Sequence, residues 1–266
     1  MIRIAAVQTA PQFGRREENL EAVAKAIRGA RADLFVLPEL FNTGYLFADR
    51  DELACMAEPY PNGPTCQQLA TLSRERRAVI AGGFAERTRD GRIYNSGAVF
   101  DRGEGLLCYR KIHLFDTERR LFDAGDRPPT AVATSIGPIG AMVCFDWFFP
   151  ETMRCLALEG ASIVVHMANL VLPYCQDAMK TRCLENRVFA VTANRIGTEA
   201  RGTEQIRFTG RSQITGVRGE VLARAEPESA EVILAEIDPH EAEEKSVTAR
   251  NDVFADRRPG LYKALL

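Results

Sequence analysis

The sequence predicts an α/β protein whose helices lie outside packed β-sheets. Three observations support this. Short β-branched apolar runs alternate with stretches of helical period. Several strands follow one another in mid-chain. The pattern then returns to β-α-β. The chain has 266 residues, 46% apolar and 26% charged, which suits a soluble fold with a sizeable core.

Residues 2–8 alternate and are β-branched, so they read as a strand. Residues 16–30 place Leu20, Val23, Ala24, Ile27 and Ala30 at a helical period. Residues 34–37 read as a short buried strand and 66–77 as a second helix. Strands follow at 78–86, 94–100, 105–109, 130–136 and 140–143. Residues 152–159 predict a short helix, 162–167 a very apolar strand and 177–186 another helix. Late strands are expected at 188–196, 205–214 and 231–237. Residues 226–229 read as a turn and 238–248 as a polar connection. Neither divides the chain, and no internal repeat is visible, so residues 1–266 are expected to form a single domain. Within it, the segment 246–266 carries Phe254, Leu261 and Tyr262 among charges, and is expected to dock on a partner subunit.

The formal net charge is −2 and the sequence has no basic stripe, which argues against nucleic-acid and anionic-membrane partners. Seven cysteines occur without a CxxC pair, the usage expected of a reducing cytosol with no disulfide framework. The three histidines, His113, His166 and His240, form no local zinc motif, and no metal or cofactor is expected. The N-terminus lacks an apolar signal region, and no spanning run of about eighteen apolar residues occurs, so the expected location is cytoplasmic.

Three polar residues share one context. Glu39, Lys111 and Cys144 each follow an apolar run, where a buried strand should end. Ligand crevices in open α/β sheets lie beyond the carboxyl ends of strands. If the three strands are neighbours, an acid, a cation and a thiol converge there. An ordinary thiol is only a few per cent thiolate at neutral pH and needs a base, a role suited to Glu39. The Lys111 ammonium would oppose negative charge built on a carbonyl oxygen or nitrile nitrogen, and should also favour the thiolate. After Cys144 the run FDWFFPE has the form of a nucleophile elbow, with Pro150 opening a helix.

These residues carry a family resemblance. Residues 37–45 (LPELFNTGY), 109–115 (YRKIHLF), 143–151 (VCFDWFFPE), and 184–189 (LENRVF) with 193–195 (ANR) resemble, in order, the blocks of the carbon–nitrogen hydrolases, the nitrilase and amidase superfamily. The resemblance implies a four-layer α-β-β-α sandwich, no metal, and a Glu–Lys–Cys triad on Glu39, Lys111 and Cys144. It puts a second glutamate, which positions the lysine and relays protons, on Glu118 of the run ERRLF. It also implies a thioester intermediate and homodimers formed through the surface flanking the nucleophile helix. By the same layout, Tyr45, Asn169 and Leu170 are expected at the substrate; Phe145, Asp146 and Trp147 are expected there because the turn places them beside the thiol.

Other roles are plainer. His113 is expected to orient its loop, and His166 to be a satisfied core residue. Asp146 and Glu151 could cap the helix after the elbow. The leading expectation is hydrolysis of small linear amides, aliphatic or ω-amidase-like, with release of ammonia. Nitrilase activity toward small aliphatic nitriles and N-carbamoyl amine hydrolysis are the alternatives. A redox or acyl-transfer thiol protein is disfavoured by the lack of a resolving cysteine and of spanning segments. A catalytically silent binding protein is disfavoured by the intact Glu, Lys and Cys.

Overall fold

The computed structural model describes residues 1–265. In chain order its elements are β1 (Ile2–Gln8), α1 (Arg16–Gly29), β2 (Leu34–Val36), α2 (Arg50–Met56), α3 (Pro64–Arg76), β3 (Val79–Arg87), β4 (Ile93–Asp101), β5 (Glu104–Arg110), α4 (Glu118–Leu121), β6 (Ala131–Thr134) and β7 (Gly137–Val143). A 3-10 turn (Cys144–Phe148) leads to α5 (Pro150–Leu158), β8 (Ile163–Met167), α6 (Cys175–Asn186), β9 (Phe189–Ala193), β10 (Thr198–Arg201), β11 (Glu204–Arg207), β12 (Gln213–Thr215), β13 (Val221–Arg224) and β14 (Glu231–Ile237). The first sheet has the order β14-β1-β2-β3-β4-β5 and the second β13-β12-β9-β8-β7-β6. Each has two adjacent parallel pairings flanked by antiparallel ones.

The alternation along the strands builds the layers. Ile4 and Ala6 of β1, Leu34 and Val36 of β2, and Val79 and Ala81 of β3 join one core with Ile139, Ala141, Ile163, Val165 and Val191 of the second sheet. The intervening residues Ala5, Val7, Phe35 and Ile80 face outward onto Leu20, Val23 and Ile27 of α1 and Leu69 and Leu72 of α3. On the far side, Met153 and Leu156 of α5 and Met179 and Cys183 of α6 cover the second sheet. The result is an α-β-β-α sandwich. Strands covered on both faces need apolar residues at successive positions, which is why β2, and β8 apart from His166, read as apolar runs.

Small residues let the layers close tightly near one end. A Cβ on Gly97 of β4 would come within 2.4 Å of Met167 Cε and 3.3 Å of Val143 Cγ2, so Gly97 lets the two sheets approach beneath the end of β7. A Cβ on Gly83 of β3 would lie 2.6 Å from the Cα of Glu39. Gly83 N–H donates to Pro38 O at 3.1 Å, and its carbonyl accepts from Phe41 N–H at 3.2 Å. The segment after β2 is thus held along β3.

Two expectations are corrected. Residues 205–214 are not one strand but β11 and β12, separated by a break where Gly210 and Arg211 have φ of 59° and 56°. Gly210 is required there, since a Cβ would meet Pro227 O at 2.2 Å. The strand expected at 188–196 stops at Ala193, because the Asn194 side chain turns to bond Leu170 N–H and Gly210 O. Helix α2 was not expected, although an N-cap marks it: Asp49 accepts from Glu52 N–H at 2.8 Å, and Glu52 reaches back to accept from Ala48 N–H at 2.7 Å. All seven cysteines are free, and no helix among the described residues is long and apolar enough to cross a membrane. Of the segment expected to dock on a partner, Phe254 lies between Arg154 and Lys245, while Val247, Leu261, Tyr262 and Leu265 are exposed; residue 266 lies outside the described residues.

Gly83→Ala should lose about 1–3 kcal/mol by forcing β3 from the Pro38–Glu39 backbone. Gly29→Ala, where a Cβ meets nothing within 4 Å at the end of α1, should be neutral or slightly stabilising. Urea titrations of both check this; equal midpoints would contradict the close approach at Gly83.

Candidate active site

Glu39 lies just past β2 and Lys111 just past β5, in one sheet with two strands between them. Cys144 follows β7 of the other sheet. The three strands are therefore not neighbours in one sheet, as the sequence suggested. The residues meet because β7 packs across β4 and β5.

Lys111 is fully buried between two carboxylates. Its Nζ donates to Glu39 Oε1 at 2.8 Å and lies 2.8 Å from Oε1 and 2.7 Å from Oε2 of Glu118. Burial alone would push the ammonium's pKa down; the charges of Glu118 and Glu39 reverse this and hold it well above its ordinary value. Glu118 is crowded with donors. Besides Lys111, it accepts from the Tyr45 hydroxyl at 2.9 Å and from Phe115 N–H at 2.8 Å. Burial pushes its carboxyl up against the opposing pull of Lys111. Glu39 differs: Oε1 accepts from Lys111 and from Asn95 Nδ2 at 2.6 Å, whereas Oε2 is buried with no partner.

Cys144 opens the 3-10 turn with φ of 43°, a left-handed conformation that costs a residue with a Cβ about 1–3 kcal/mol. Two side chains hold it there. Asp146, fully buried, accepts from Val143 N–H at 2.9 Å and the Tyr109 hydroxyl at 2.8 Å through Oδ2, and from His113 through Oδ1. His166 contacts the Cys144 carbonyl with Nε2 at 3.0 Å, so Nε2 carries the proton and Nδ1 accepts from the Thr192 hydroxyl at 3.1 Å. Burial pushes the Cys144 thiol well above its ordinary pKa, and Glu39 adds to this; Lys111 only partly opposes them. Lys111 favours the thiolate, as expected, but burial and the Glu39 charge outweigh it. One ammonium and two carboxylates carry a net negative charge, and a thiolate beside them would double it.

A tight cleft of about 20 Å³ opens at the sulfur, lined by Phe115, Phe145, Trp147, Asn169, Leu170 and Val171. Asn169 is buried, and both its side-chain polar atoms lack a partner. Of the residues expected at the substrate, Phe145, Trp147, Asn169 and Leu170 line this cleft. Tyr45 instead bonds Glu118, and Asp146 is turned inward to brace the elbow, its two oxygens occupied. His113 stacks on Phe149 at 3.6 Å and, as expected, ties its loop to the elbow. Among the described residues no group of three or more His, Cys, Asp or Glu converges as a metal cradle. Residues not foreseen are Asn95, Phe115, Val171 and the pair Arg195–Glu199. The Glu199 carboxylate accepts from the backbone N–H groups of Tyr45 and Leu46 at 2.9 and 2.8 Å, and so fixes the loop that presents Tyr45. The polar pair Asn95-Ser96 inside an apolar strand was the available signal for Asn95; nothing in sequence marked Glu199.

Comparison with known proteins gives a consistent picture. A family model described as carbon-nitrogen hydrolase matches residues 3–246. A protein named nitrilase from Pyrococcus abyssi is 42% identical over 98% of this chain and 99% of its own length. An N-carbamoylputrescine amidase from Arabidopsis thaliana is 34% identical over 93% of this chain and 90% of its own length. The crystal structure of a carbon-nitrogen hydrolase from Helicobacter pylori G27 superposes with a TM-score of 0.89 at 26% identity, covering 99% of this chain and 98% of the other.

Burial of His166 lowers its pKa from 6.5 to about 4. Between these values the unfolded chain binds a proton that the folded one does not. The neutral ring's contribution is therefore full above pH 6.5 and is lost as pH falls toward about 4. It amounts to about 3 kcal/mol at most. His166→Gln, whose amide can still donate to the Cys144 carbonyl, should show a shallower loss of stability over this range in urea titrations. An unchanged slope would contradict the neutral buried ring.

Proposed function

The chain belongs to the carbon–nitrogen hydrolase family, and from that premise we propose that it hydrolyses the C–N bond of small uncharged amides through a thioester on Cys144. One observation carries the reading. In a buried cluster whose other acid is crowded with donors, Glu39 keeps one oxygen, Oε2, without a partner. That oxygen is the base.

The steps follow from the charges. Sulfur attacks the amide carbon and its proton moves to Glu39 Oε2, so the C–S bond forms as the carbonyl π pair goes to oxygen. The new negative charge stands on the substrate, where the Lys111 ammonium and N–H groups of the elbow oppose it. No thiolate is needed beforehand, and the protein cluster becomes neutral as the substrate becomes charged. Glu39 then passes its proton to the nitrogen, the C–N bond breaks and ammonia leaves. Water attacks the thioester and gives its proton to Glu39; the C–S bond breaks and the sulfur takes that proton back. Glu118 acts as the second anchor of Lys111 and, through Phe115 N–H, of the cleft wall. Its crowded oxygens fit that role better than proton relay. Asn169, with donor and acceptor both free, suits the substrate amide group.

The cleft supports the substrate class. Away from the Lys111–Glu39 end its walls are apolar apart from Asn169 and carry no charged side chain to meet a remote carboxylate or ammonium of the substrate, so uncharged short amides are favoured over ω-amidase-like substrates. A second reading, cleavage of small nitriles, is favoured by the 42% identity to the protein named nitrilase. We propose further that the enzyme is a cytoplasmic, cofactor-free homodimer with residues 1–266 as one domain and the C-terminal segment packed on the partner subunit.

Ammonia release from a panel of short amides, nitriles, dicarboxylic monoamides and carbamoyl amines tests the proposal. Cys144→Ala should abolish release with the fold intact by circular dichroism. Glu39→Gln should lower kcat by about 100- to 10,000-fold, and uncharged amides should show the highest kcat/KM. Full turnover by the Cys144→Ala protein would overturn the mechanism, and preference for a charged substrate would overturn the substrate class.

A further inference from the structure

One side chain in the Lys111 cluster has no step in this reaction. Asn95 is fully buried in β4, next to the Ser96–Arg110 pairing that aligns β5, and its carbonyl accepts from Lys111 N–H at 2.9 Å. Its side-chain Nδ2 lies 2.6 Å from Glu39 Oε1 and 3.4 Å from Glu118 Oε1. Two carboxylate oxygens face this end of the amide, so the end must be the NH2 group, the only donor an asparagine side chain has. The other end, Oδ1, is buried without a partner. An unpaired buried acceptor is destabilising. It marks a residue placed for its donor.

The consequence falls on Glu39. A glutamate's terminal torsion is broad and two-fold, so its two oxygens exchange unless something distinguishes them. Lys111 marks the same oxygen, Oε1, but its rotatable ammonium is shared with both oxygens of Glu118 and orients the carboxylate weakly. Asn95 adds a second, planar donor on Oε1, whereas Oε2 has none. A proton reaching Glu39 must go to the oxygen that does not already face two donors.

We infer that Asn95 is a positioning residue that holds the Glu39 carboxylate with Oε2 toward the thiol, and so selects which oxygen exchanges the proton. This rests on the reading of Glu39 as the base. It concerns a hydrogen bond to that base and not contact with substrate, so its effect should fall on turnover and not on binding.

Asn95→Leu keeps the branched shape and heavy-atom count and removes the donor. In the folded variant kcat should fall at least about tenfold, part of the 100- to 10,000-fold a positioned base supplies, with KM little changed. A second readout needs no turnover: alkylation of Cys144 by iodoacetamide, followed by peptide mass spectrometry, should slow to a similar degree while alkylation of the exposed Cys55 stays as in wild type. Should Asn95→Leu fail to fold, Asn95→Ala is read in the same way. Wild-type kcat and Cys144 alkylation in a folded variant would overturn the inference, as would a loss confined to KM. If the wild-type protein releases no ammonia from any amide, the hydrolase reading fails, while the alkylation comparison still decides the role of Asn95.

Discussion

The rest of the site depends on one buried ammonium held by two carboxylates. Lys111 has no solvent exposure, and isolating such a charge from water is costly unless it is paired. Glu39 and Glu118 satisfy it, and in doing so draw together the segments that follow β2 and β5 and the start of α4. The same trio sets the sulfur's electrostatics. With one positive and two negative charges close by, a second net negative charge on Cys144 is disfavoured, and the thiol keeps its proton at rest. In the mechanism proposed above, a protonated sulfur with Glu39 as its base couples proton transfer to attack.

Around this trio the protein builds a brace from residues that do no chemistry. Asp146 and His166 grip the strained Cys144 turn from both sides. Glu199 and Arg195 fix the loop that brings the Tyr45 hydroxyl to Glu118. Gly83 and Gly97 let β3 and β4 approach the Glu39 segment and the second sheet closely enough for the groups to meet. These contacts are short and buried, so the geometry is fixed by packing before any substrate arrives.

Much of this was legible in the sequence, and the remainder was hidden for physical reasons. β1 and β14 have the ends that alternation assigns, because amphipathic period is local. Glu39, Lys111 and Cys144 stood out as polar residues ending apolar runs, and their types complement one another. The pairing order of the strands is non-local, so neither the two-sheet separation of Cys144 from Lys111 nor the contact of Asn95 with Glu39 could be read from spacing. Asp146 was expected at the substrate, but in a 3-10 turn each residue advances about 120°, and it falls on the inward side whereas Phe145 and Trp147 line the cleft. The break at Gly210 was masked by the β-rich residues on either side of it.

The most direct measurement is the thiolate ultraviolet absorbance of Cys144, taken as the difference between wild type and Cys144→Ser across pH, with and without Glu39→Gln. Wild type should show no thiolate at neutral pH, and thiolate should form at lower pH once the Glu39 charge is removed and Lys111 acts with less opposition. A thiolate already present at neutral pH, or one unmoved by Glu39→Gln, would contradict this.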